Sequence, residues 1–158
     1  MGMGTDDIQV RRAVADDHTH MLALWERSVR ATHHFLTEDD IVTLRPLVGQ
    51  LFPGNDCEFW VAVRPQDIPL GFLGYTRDSV DALFIDSHHR GCGIGSLLML
   101  HAQQLSGGSL RVEVNEQNDG AVGFYKAQGF NVVSRSPLDS GGRPFPLLHM
   151  VRPAPELR

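Results

Sequence analysis

The chain has 158 residues, 42% of them hydrophobic and 21% charged, a composition that predicts one globular domain with a sizeable core. Its formal net charge of −5 at pH 7, with no Lys/Arg run, excludes a generic nucleic-acid-binding protein. No apolar run approaches the roughly 20 residues of a membrane-spanning helix, and the N-terminus does not resemble a signal peptide. Because Cys57 and Cys92 are the only cysteines, we expect a cytoplasmic protein without a disulfide framework or a membrane partner.

The chain begins with a predicted strand and a predicted helix. Apolar residues alternate over residues 8–14, which is typical of a strand. Asp16 and Asp17 follow, and they supply an N-cap and favourable negative charge for the first turn of a helix. The apolar stripe of this helix continues to about Ala31. We therefore predict a strand followed directly by an amphipathic helix.

A second helix and three strands follow a break at residues 32–36. Thr37 and Asp40 have the spacing of a capping box, which predicts the start of the second helix. Pro46 should kink or interrupt that helix, because proline lacks the backbone N–H that a helix needs. A meander of three strands then occupies residues 59–63, 70–75 and 80–85, with residues 64–67 as its first hairpin loop.

The second half of the chain alternates helices and strands. A helical apolar pattern begins at Ile94 and ends at residues 107–108, which are both glycine. Residues 110–114 alternate as a strand reached through this helix, so we expect it to run parallel to the strand before the helix. A short helix over residues 118–128 ends at Gly129. Two closing strands complete a mixed α/β domain of order β-α-α-β-β-β-α-β-α-β-β, over residues 130–134 and 146–151.

A glycine turn joins the apolar run 82–85 to the helix that begins at Ile94. The backbone N–H groups of such a turn, at the positive end of a helix dipole, can hold a phosphate or pyrophosphate. A P-loop would need a Lys-Ser/Thr pair after the glycines, and a dinucleotide fingerprint would need glycine where Ser96 stands. The remaining pattern is Arg-x-x-Gly-x-Gly, filled by Arg90, Gly93 and Gly95.

This segment resembles the coenzyme A pyrophosphate loop of the GNAT N-acetyltransferases, whose pattern is Arg/Gln-x-x-Gly-x-Gly/Ala. A second motif of that family reads Asn-x-x-Ala-x-x-x-Tyr-x-x-x-Gly-Phe. Its positions are filled in register by Asn118, Ala121, Tyr125, Gly129 and Phe130. The two motifs stand at the expected separation, and the predicted element order matches the family, so the resemblance covers nearly the whole chain.

Three segments of the sequence are similar to one particular branch of that family. Residues 27–36, 84–86 and 146–148 are most similar to the YjaB-like branch of bacterial acetyltransferases. The resemblance implies a single GNAT domain over residues 6–152 with a splayed, mixed central sheet. We expect residues 1–5 and 153–158 to be frayed termini.

The resemblance also implies a co-substrate, acetyl-CoA, and an amine acceptor that is a small molecule or a peptide. The N–H groups of the glycine turn would hold the pyrophosphate. The strand that ends at residues 84–85 would separate from the strand at residues 112–114 and bind the pantetheine arm by its backbone. The implied coenzyme-binding residues are Phe84, Ile85, Arg90, Gly91, Cys92, Gly93, Ile94, Gly95, Ser96, Asn118 and Tyr125.

Two residues are candidates for the proton transfers. Tyr125 aligns with the family's usual general acid, and a phenol donates a proton without needing a charge at neutral pH. Its spacing alone favours a core aromatic beside Phe124 and Phe130, whereas the motif context favours a role at the sulfur. Glu113 lies on the strand that lines the implied cleft, so its carboxylate is a candidate base that acts directly or through water. Glu113 paired to Arg111 or solvated is the alternative, and Asp81 on the preceding strand is a competing candidate base.

The break between the first two helices is where the family places its acceptor pocket. His33 lies there and suits a proton relay, although a simply hydrogen-bonded histidine is the alternative. Trp25, Phe35 and His149 are further candidates for this pocket, and a core role is the alternative for the two aromatics. Adjacent histidines do not converge on one ion, and no H-E-x-x-H or Cys/His spacing occurs, so we expect no metal site.

Two questions stay open at this stage. The first is whether the chain transfers acetyl groups or is a non-catalytic module that senses CoA or acyl-CoA on the same fold. The presence of Tyr125 and of a candidate base favours the enzyme. The second is the assembly: dimers are common in the family, so a homodimer is one alternative.

The thiol of Cys92 is a separate point. Cys92 lies at a helix N-terminus, where a thiol can become more reactive, and an unreactive thiol without a role is the alternative.

Overall fold

The computed structural model of the chain describes residues 7–65, 68–89 and 93–154. Within these ranges the strands and helices keep the order that the sequence predicts. The strands are β1 (Gln9–Arg12), β2 (Glu58–Val63), β3 (Gly71–Thr76), β4 (Ser79–Ile85), β5 (Leu110–Asn115), β6 (Asn131–Ser136) and β7 (Leu147–Arg152). The helices are α1 (His18–Thr32), α2 (Glu38–Leu51), α3 (Ile94–Ser106) and α4 (Asp119–Ala127). Residues 66–67 of the predicted hairpin loop, and the predicted frayed residues 1–5 and 155–158, lie outside the described residues.

Helix α1 begins differently from the prediction. A short 3-10 turn, Ala15–Asp17, precedes it, and the Asp17 carboxylate does not cap the helix. The carboxylate instead accepts a hydrogen bond from the Val14 N–H at 2.8 Å and two from the Arg11 guanidinium at 2.7 and 3.0 Å. Asp17 therefore occupies the predicted N-cap position, but its side chain does not cap the helix, because a bidentate, charge-assisted partner on β1 is stronger than the helix N–H groups.

Helix α2 begins as predicted but does not stop at its proline. Thr37 Oγ1 accepts from the Asp40 N–H at 3.1 Å, and the Asp40 carboxylate accepts from the Thr37 N–H at 2.9 Å, which confirms the capping box. The helix then continues through Pro46 to Leu51, so the predicted interruption is wrong. The carbonyl group that loses its hydrogen bond belongs to Val42, whose side chain is 61% exposed, so water can hydrate this turn.

The seven strands form one mixed sheet in the order β1-β2-β3-β4-β5-β7-β6. All neighbours are antiparallel except β4 and β5, which run parallel as the helical crossover predicted. Only two residue pairs join β4 to β5, Ser79 with Arg111 and Val80 with Val112. Beyond these pairs the two strands separate, so the middle of the sheet opens into a cleft.

Hydrophobic cores lie on both faces of the sheet. One core joins the sheet to α3 and α4 and includes Leu98, Val112, Tyr125 and Met150. The other joins it to α1 and α2 and includes Met21, Trp25, Phe59 and Phe72. Alternate residues of β2 enter different cores, as the strand pleat requires. Among the described residues, no helix is both long and apolar enough to cross a membrane.

Candidate active site

Two adjacent cavities occupy the cleft where β4 and β5 separate. The larger has a volume of about 380 Å³ and the smaller about 190 Å³. The larger cavity reaches the start of α3, and the smaller extends along β4 and β5. Both are lined by His33, Leu83, Phe84, Asn118, Ala121 and Tyr125. The cleft therefore has two compartments that meet at these shared side chains.

The start of α3 forms one end of the larger cavity. Gly93, Ile94, Gly95 and Ser96 all line it. Gly93 has a φ of +80°, a left-handed conformation that favours glycine. A Cβ atom on Gly95 would lie 3.3 Å from the Phe124 ring, so a side chain there would crowd the wall of the cavity. The first-turn N–H groups of a helix have no partners within the helix, so this end of the cavity suits an anion. Of the predicted coenzyme-binding set, Arg90, Gly91 and Cys92 lie outside the described residues.

An ion pair ties α1 to the segment before the glycine turn. The Arg27 guanidinium donates to both oxygens of Asp86, at 3.2 and 3.0 Å, and the His88 N–H donates to the same carboxylate at 3.2 Å. Burial raises the pKa of Asp86, but the hydrogen bonds from Arg27 and His88 outweigh it and hold the pKa below its usual value. No pattern in the sequence points to this ion pair, because its two partners are separated by 59 positions.

Tyr125 lies on α4 where the two cavities meet. It is 6% exposed and makes edge-to-face contacts with Phe124 and Phe130, with ring centroids 5.3 and 5.5 Å away. Burial raises the pKa of its phenol well above the ordinary value, so the hydroxyl stays protonated at neutral pH. Tyr125 therefore has both the aromatic packing of a core residue and a place on the walls of both cavities.

His33 and Asn118 join α1 to α4 across the cleft. Thr32 Oγ1 donates to the Ser28 carbonyl at 2.8 Å, so it accepts from His33 Nδ1–H, also at 2.8 Å. This assigns an unprotonated Nε2, which faces the Asn118 side-chain amide nitrogen at 3.4 Å. Asn118 Oδ1 accepts from the Ala121 N–H at 3.2 Å and caps α4. Burial, with a smaller contribution from His34, lowers the pKa of His33 to about 4, so the imidazole is neutral at pH 7.

Two carboxylates line the smaller cavity, one on each of the separated strands. Asp81 on β4 accepts a hydrogen bond from Ser79 Oγ at 2.8 Å. Glu113 on β5 has a side chain that is 58% exposed, and its Oε1 lies 3.4 Å from His149 Nδ1 on β7. Arg111 does not pair with Glu113, because its guanidinium donates to the Arg77 carbonyl.

The remaining candidates of the acceptor pocket lie apart from one another. Trp25 is 4% exposed, packs in the core between α1 and the sheet, and lines neither cavity. Phe35 packs between His33 and Phe145, with ring centroids 5.3 and 5.6 Å away. His149 lies beside Glu113 without lining either cavity. The described residues contain no group of three histidine, cysteine or acidic side chains that could hold a metal ion.

Comparison with known proteins agrees with this geometry. A family model described as an acetyltransferase (GNAT) domain matches residues 55–132. The chain is 46% identical over 146 residues to a protein of Salmonella typhimurium strain LT2 named peptidyl-lysine N-acetyltransferase YjaB, covering 92% of this chain and 99% of that one. The chain belongs to the GNAT acetyltransferase family.

Solved structures confirm the GNAT fold. The solution structure of apo YjaB from Escherichia coli superposes with a TM-score of 0.84 at 43% identity, covering 91% of this chain and 96% of that one. The crystal structure of the PaiA N-acetyltransferase from Thermoplasma acidophilum, in complex with coenzyme A, gives a TM-score of 0.75 at 19% identity. That likeness covers 92% of this chain and 98% of the other, and it shows the shared fold.

This GNAT protein is an N-acetyltransferase that takes its acetyl group from acetyl-CoA. The cleft fits that co-substrate. An anion-binding helix start at one end of the larger cavity and separated strands along its side match a pyrophosphate followed by a pantetheine arm. The resemblance to YjaB-like enzymes is also confirmed.

Proposed function

We propose that this enzyme acetylates the side-chain amine of lysine in peptides or proteins, with the acceptor in the smaller cavity and acetyl-CoA in the larger. Relatives that are 43–46% identical carry the name peptidyl-lysine N-acetyltransferase. Asp81 and Glu113 give the smaller cavity two carboxylates, which favour a cationic amine. The aromatic rings of Phe35 and Phe145 near His33 are suited to the methylene stem of a lysine.

The coenzyme is held by the walls of the larger cavity. Bound acetyl-CoA supplies the acetyl group and leaves as the free thiol. The N–H groups at the start of α3 bind the pyrophosphate, and Arg90, Gly91 and Cys92 complete this loop as the motif predicts. The unpaired edge of β4 near Phe84 and Ile85 accepts the arm as an extra strand. Asn118 keeps one amide hydrogen free for the arm, because its other partner is His33.

Proton transfers are divided between Tyr125 and Glu113. Glu113 takes the proton from the lysine ammonium directly or through water, so that the amine attacks as the neutral form. Tyr125 Oη donates its proton to the departing thiolate, and the second proton that the nitrogen loses as the amide forms returns to Tyr125. His33 is a weak base at neutral pH because its pKa is about 4, so we assign it to positioning Asn118. Asp81 remains the competing base on the opposite strand.

One observation carries the proposal: Tyr125, a buried and protonated phenol, lines both cavities at their junction. Tyr125→Phe removes only the hydroxyl, so we expect thiol release with a lysine peptide to fall about 100-fold while acetyl-CoA binding is kept. Tyr75→Phe is the matched control, because the hydroxyl of Tyr75 bonds to Asp78 away from the cavities.

An assay of thiol release shows whether the acetyl group is transferred, and calorimetric titration with acetyl-CoA shows whether the coenzyme binds. Mass spectrometry of the product peptide shows whether the acetyl group is on the lysine side chain or on the N-terminal amine. If the parent protein binds acetyl-CoA but releases no thiol with any amine, the chain is a coenzyme sensor and the proposal fails. If Tyr125→Phe is as active as Tyr75→Phe, the role of the phenol fails.

We also propose that the enzyme works in the cytoplasm, as the composition of the sequence predicts. The supporting observation is the cysteine usage, with no disulfide among the described residues and Cys57 as a free thiol whose pKa burial raises to about 11. A homodimer stays a prediction, which sedimentation at several concentrations would test.

A further inference from the structure

Three polar side chains form a row across three neighbouring strands beside the smaller cavity. Ser136 on β6 has its Oγ 2.6 Å from Nε2 of His149 on β7. The other ring nitrogen of His149, Nδ1, lies 3.4 Å from Oε1 of Glu113 on β5. Glu113 and His149 are direct cross-strand partners in the register of the sheet, so the backbone itself brings these two side chains together.

The hydrogen positions in this row follow from charge and from donor capacity. If Ser136 donates its O–H to Nε2, then Nδ1 carries the ring hydrogen, on the side of the ring that lies 3.4 Å from the Glu113 carboxylate, which is an electrostatic contact and not a hydrogen bond. The opposite tautomer would place the lone pair of Nδ1 against a carboxylate oxygen, which is repulsive. The order hydroxyl, Nε2, Nδ1–H, carboxylate is therefore the favourable arrangement of the row.

We propose that His149 and Ser136 are positioning residues that hold one oxygen of Glu113 and leave the other toward the smaller cavity. The proposal rests on the acetyl transfer and on the role of Glu113 proposed above. A side chain that is 58% exposed would otherwise sample several rotamers, so a fixed carboxylate presents its basic oxygen to the amine more often. His149 and Ser136 do so without touching the substrate, because neither lines a cavity.

The row has the group order of a serine-hydrolase triad but the opposite orientation. In such triads the serine meets the substrate and the carboxylate is buried behind the histidine. Here the carboxylate lines the cavity and the serine lies at the far end of the row. The geometry therefore assigns Ser136 to support and not to nucleophilic attack.

The test compares the kinetic constants of His149→Gln with those of the parent enzyme. We expect kcat to fall about 10-fold with an unchanged KM for acetyl-CoA, because the base is misplaced and the coenzyme site is not. Ser136→Ala should show a smaller fall in kcat.

Matched controls use side chains outside the row. His20→Gln removes an exposed histidine of α1, and Ser140→Ala removes an exposed serine between β6 and β7. Both should keep the kinetic constants of the parent enzyme. An unchanged kcat in His149→Gln would overturn the proposal, and so would a rise in the KM for acetyl-CoA beside the fall in kcat, because a merely structural role disturbs both sites. A tryptic peptide that carries an acetyl group on Ser136 would also overturn it, because Ser136 would then be an acyl acceptor.

A measurement without turnover separates this proposal from the proposed function. NMR at one fixed pH gives the ring-nitrogen signals of His149 in the parent and in Glu113→Gln. If the pair exists, these signals move in the variant, whether or not any acceptor amine has been found. Unchanged ring signals overturn the positioning pair while the acetyl transfer stands. A parent enzyme that releases no thiol, with the ring signals moved, overturns the transfer and leaves the pair intact as a structural contact.

Discussion

Burial shifts the pKa values of two residues of the cleft in opposite directions, and in both cases it favours the uncharged side chain. It raises the pKa of the Tyr125 phenol and lowers the pKa of the His33 imidazole to about 4, because it disfavours the charged form of each group. Both side chains are therefore neutral at pH 7. A neutral phenol can donate a proton to a developing thiolate, and a neutral imidazole can accept a hydrogen bond from Asn118 at Nε2.

The lowered pKa of His33 makes stability depend on pH. The unfolded chain binds a proton near pH 6.5, whereas the folded chain binds it near pH 4, so the folded state loses stability as pH falls between these values. Between pH 7 and pH 5 this histidine should contribute a loss of up to about 2 kcal/mol in the free energy of unfolding. His33→Gln should remove that contribution in urea unfolding at the two pH values.

The control for this prediction is His20→Gln, an exposed histidine on the same helix. It should keep the pH dependence of the parent protein. If His33→Gln and His20→Gln lose equal stability between pH 7 and pH 5, the burial of a neutral His33 is not the cause.

At the scale of elements, the cleft depends on polar side-chain contacts between segments that pack on different sides of the sheet opening. Arg27 fixes α1 to Asp86 at the end of β4, just before the glycine turn. The contact between His33 and Asn118 fixes the other end of α1 to the N-cap of α4. Helix α1, whose Ser28 and Thr32 line the larger cavity, is therefore bonded to the segment before the glycine turn and to the start of α4.

Removing the ion pair between Arg27 and Asp86 should lower both the stability of the fold and the affinity for the coenzyme. Arg27→Ala leaves Asp86, which is 5% exposed, without its cation, and we expect a loss of about 2 kcal/mol in the free energy of unfolding. We also expect a higher Kd for acetyl-CoA, because the segment before the glycine turn loses its anchor. Denaturant unfolding and calorimetric titration measure the two effects.

Arg30→Ala is the matched control, three positions along the same helix. Arg30 pairs with Glu26 and Glu38 at the surface, so little change in stability or binding is expected. Equal behaviour of the two variants would contradict a specific role for the Arg27–Asp86 ion pair.

At the scale of the whole molecule, the sheet is continuous at one end and open at the other. β4 and β5 share two residue pairs and then separate, while each keeps its antiparallel neighbour on the other side. Helices cover both faces, with α1 and α2 against one core and α3 and α4 against the other. The opening therefore exposes strand edges inside the molecule, and such edges bind an extended ligand.

Hydrogen exchange tests whether acetyl-CoA occupies this opening as an added strand. Amides of residues 81–85 that point away from β3 should exchange more slowly when acetyl-CoA is bound, because they gain partners or lose water. The amides of residues 58–63 in β2 are the internal control, because this strand is paired on both sides. Protection confined to the start of α3 would show that the strand edge does not take part.

The sequence predicted local features well because each depends on neighbours in the chain. The left-handed Gly93 before α3, the capping box of α2 and the end of α4 before Gly129 are fixed by residues within a few positions of one another. The parallel pairing of β4 and β5 also followed, because a helical crossover constrains strand direction. The Asp17 carboxylate shows the limit, because it binds Arg11 on the preceding strand and does not cap the helix.

By itself, the sequence determined the order of the elements, the place of the glycine motif before α3 and the second family motif, because spacing along the chain encodes all three. Only the tertiary structure decided the contacts between distant residues. It inserts β7 between β5 and β6, which brings His149 beside Glu113. It also buries Trp25 in the core, although an apolar helix stripe looks the same whether it faces a core or a pocket. The physical reason is that pairing across the sheet leaves no periodic signal in the chain.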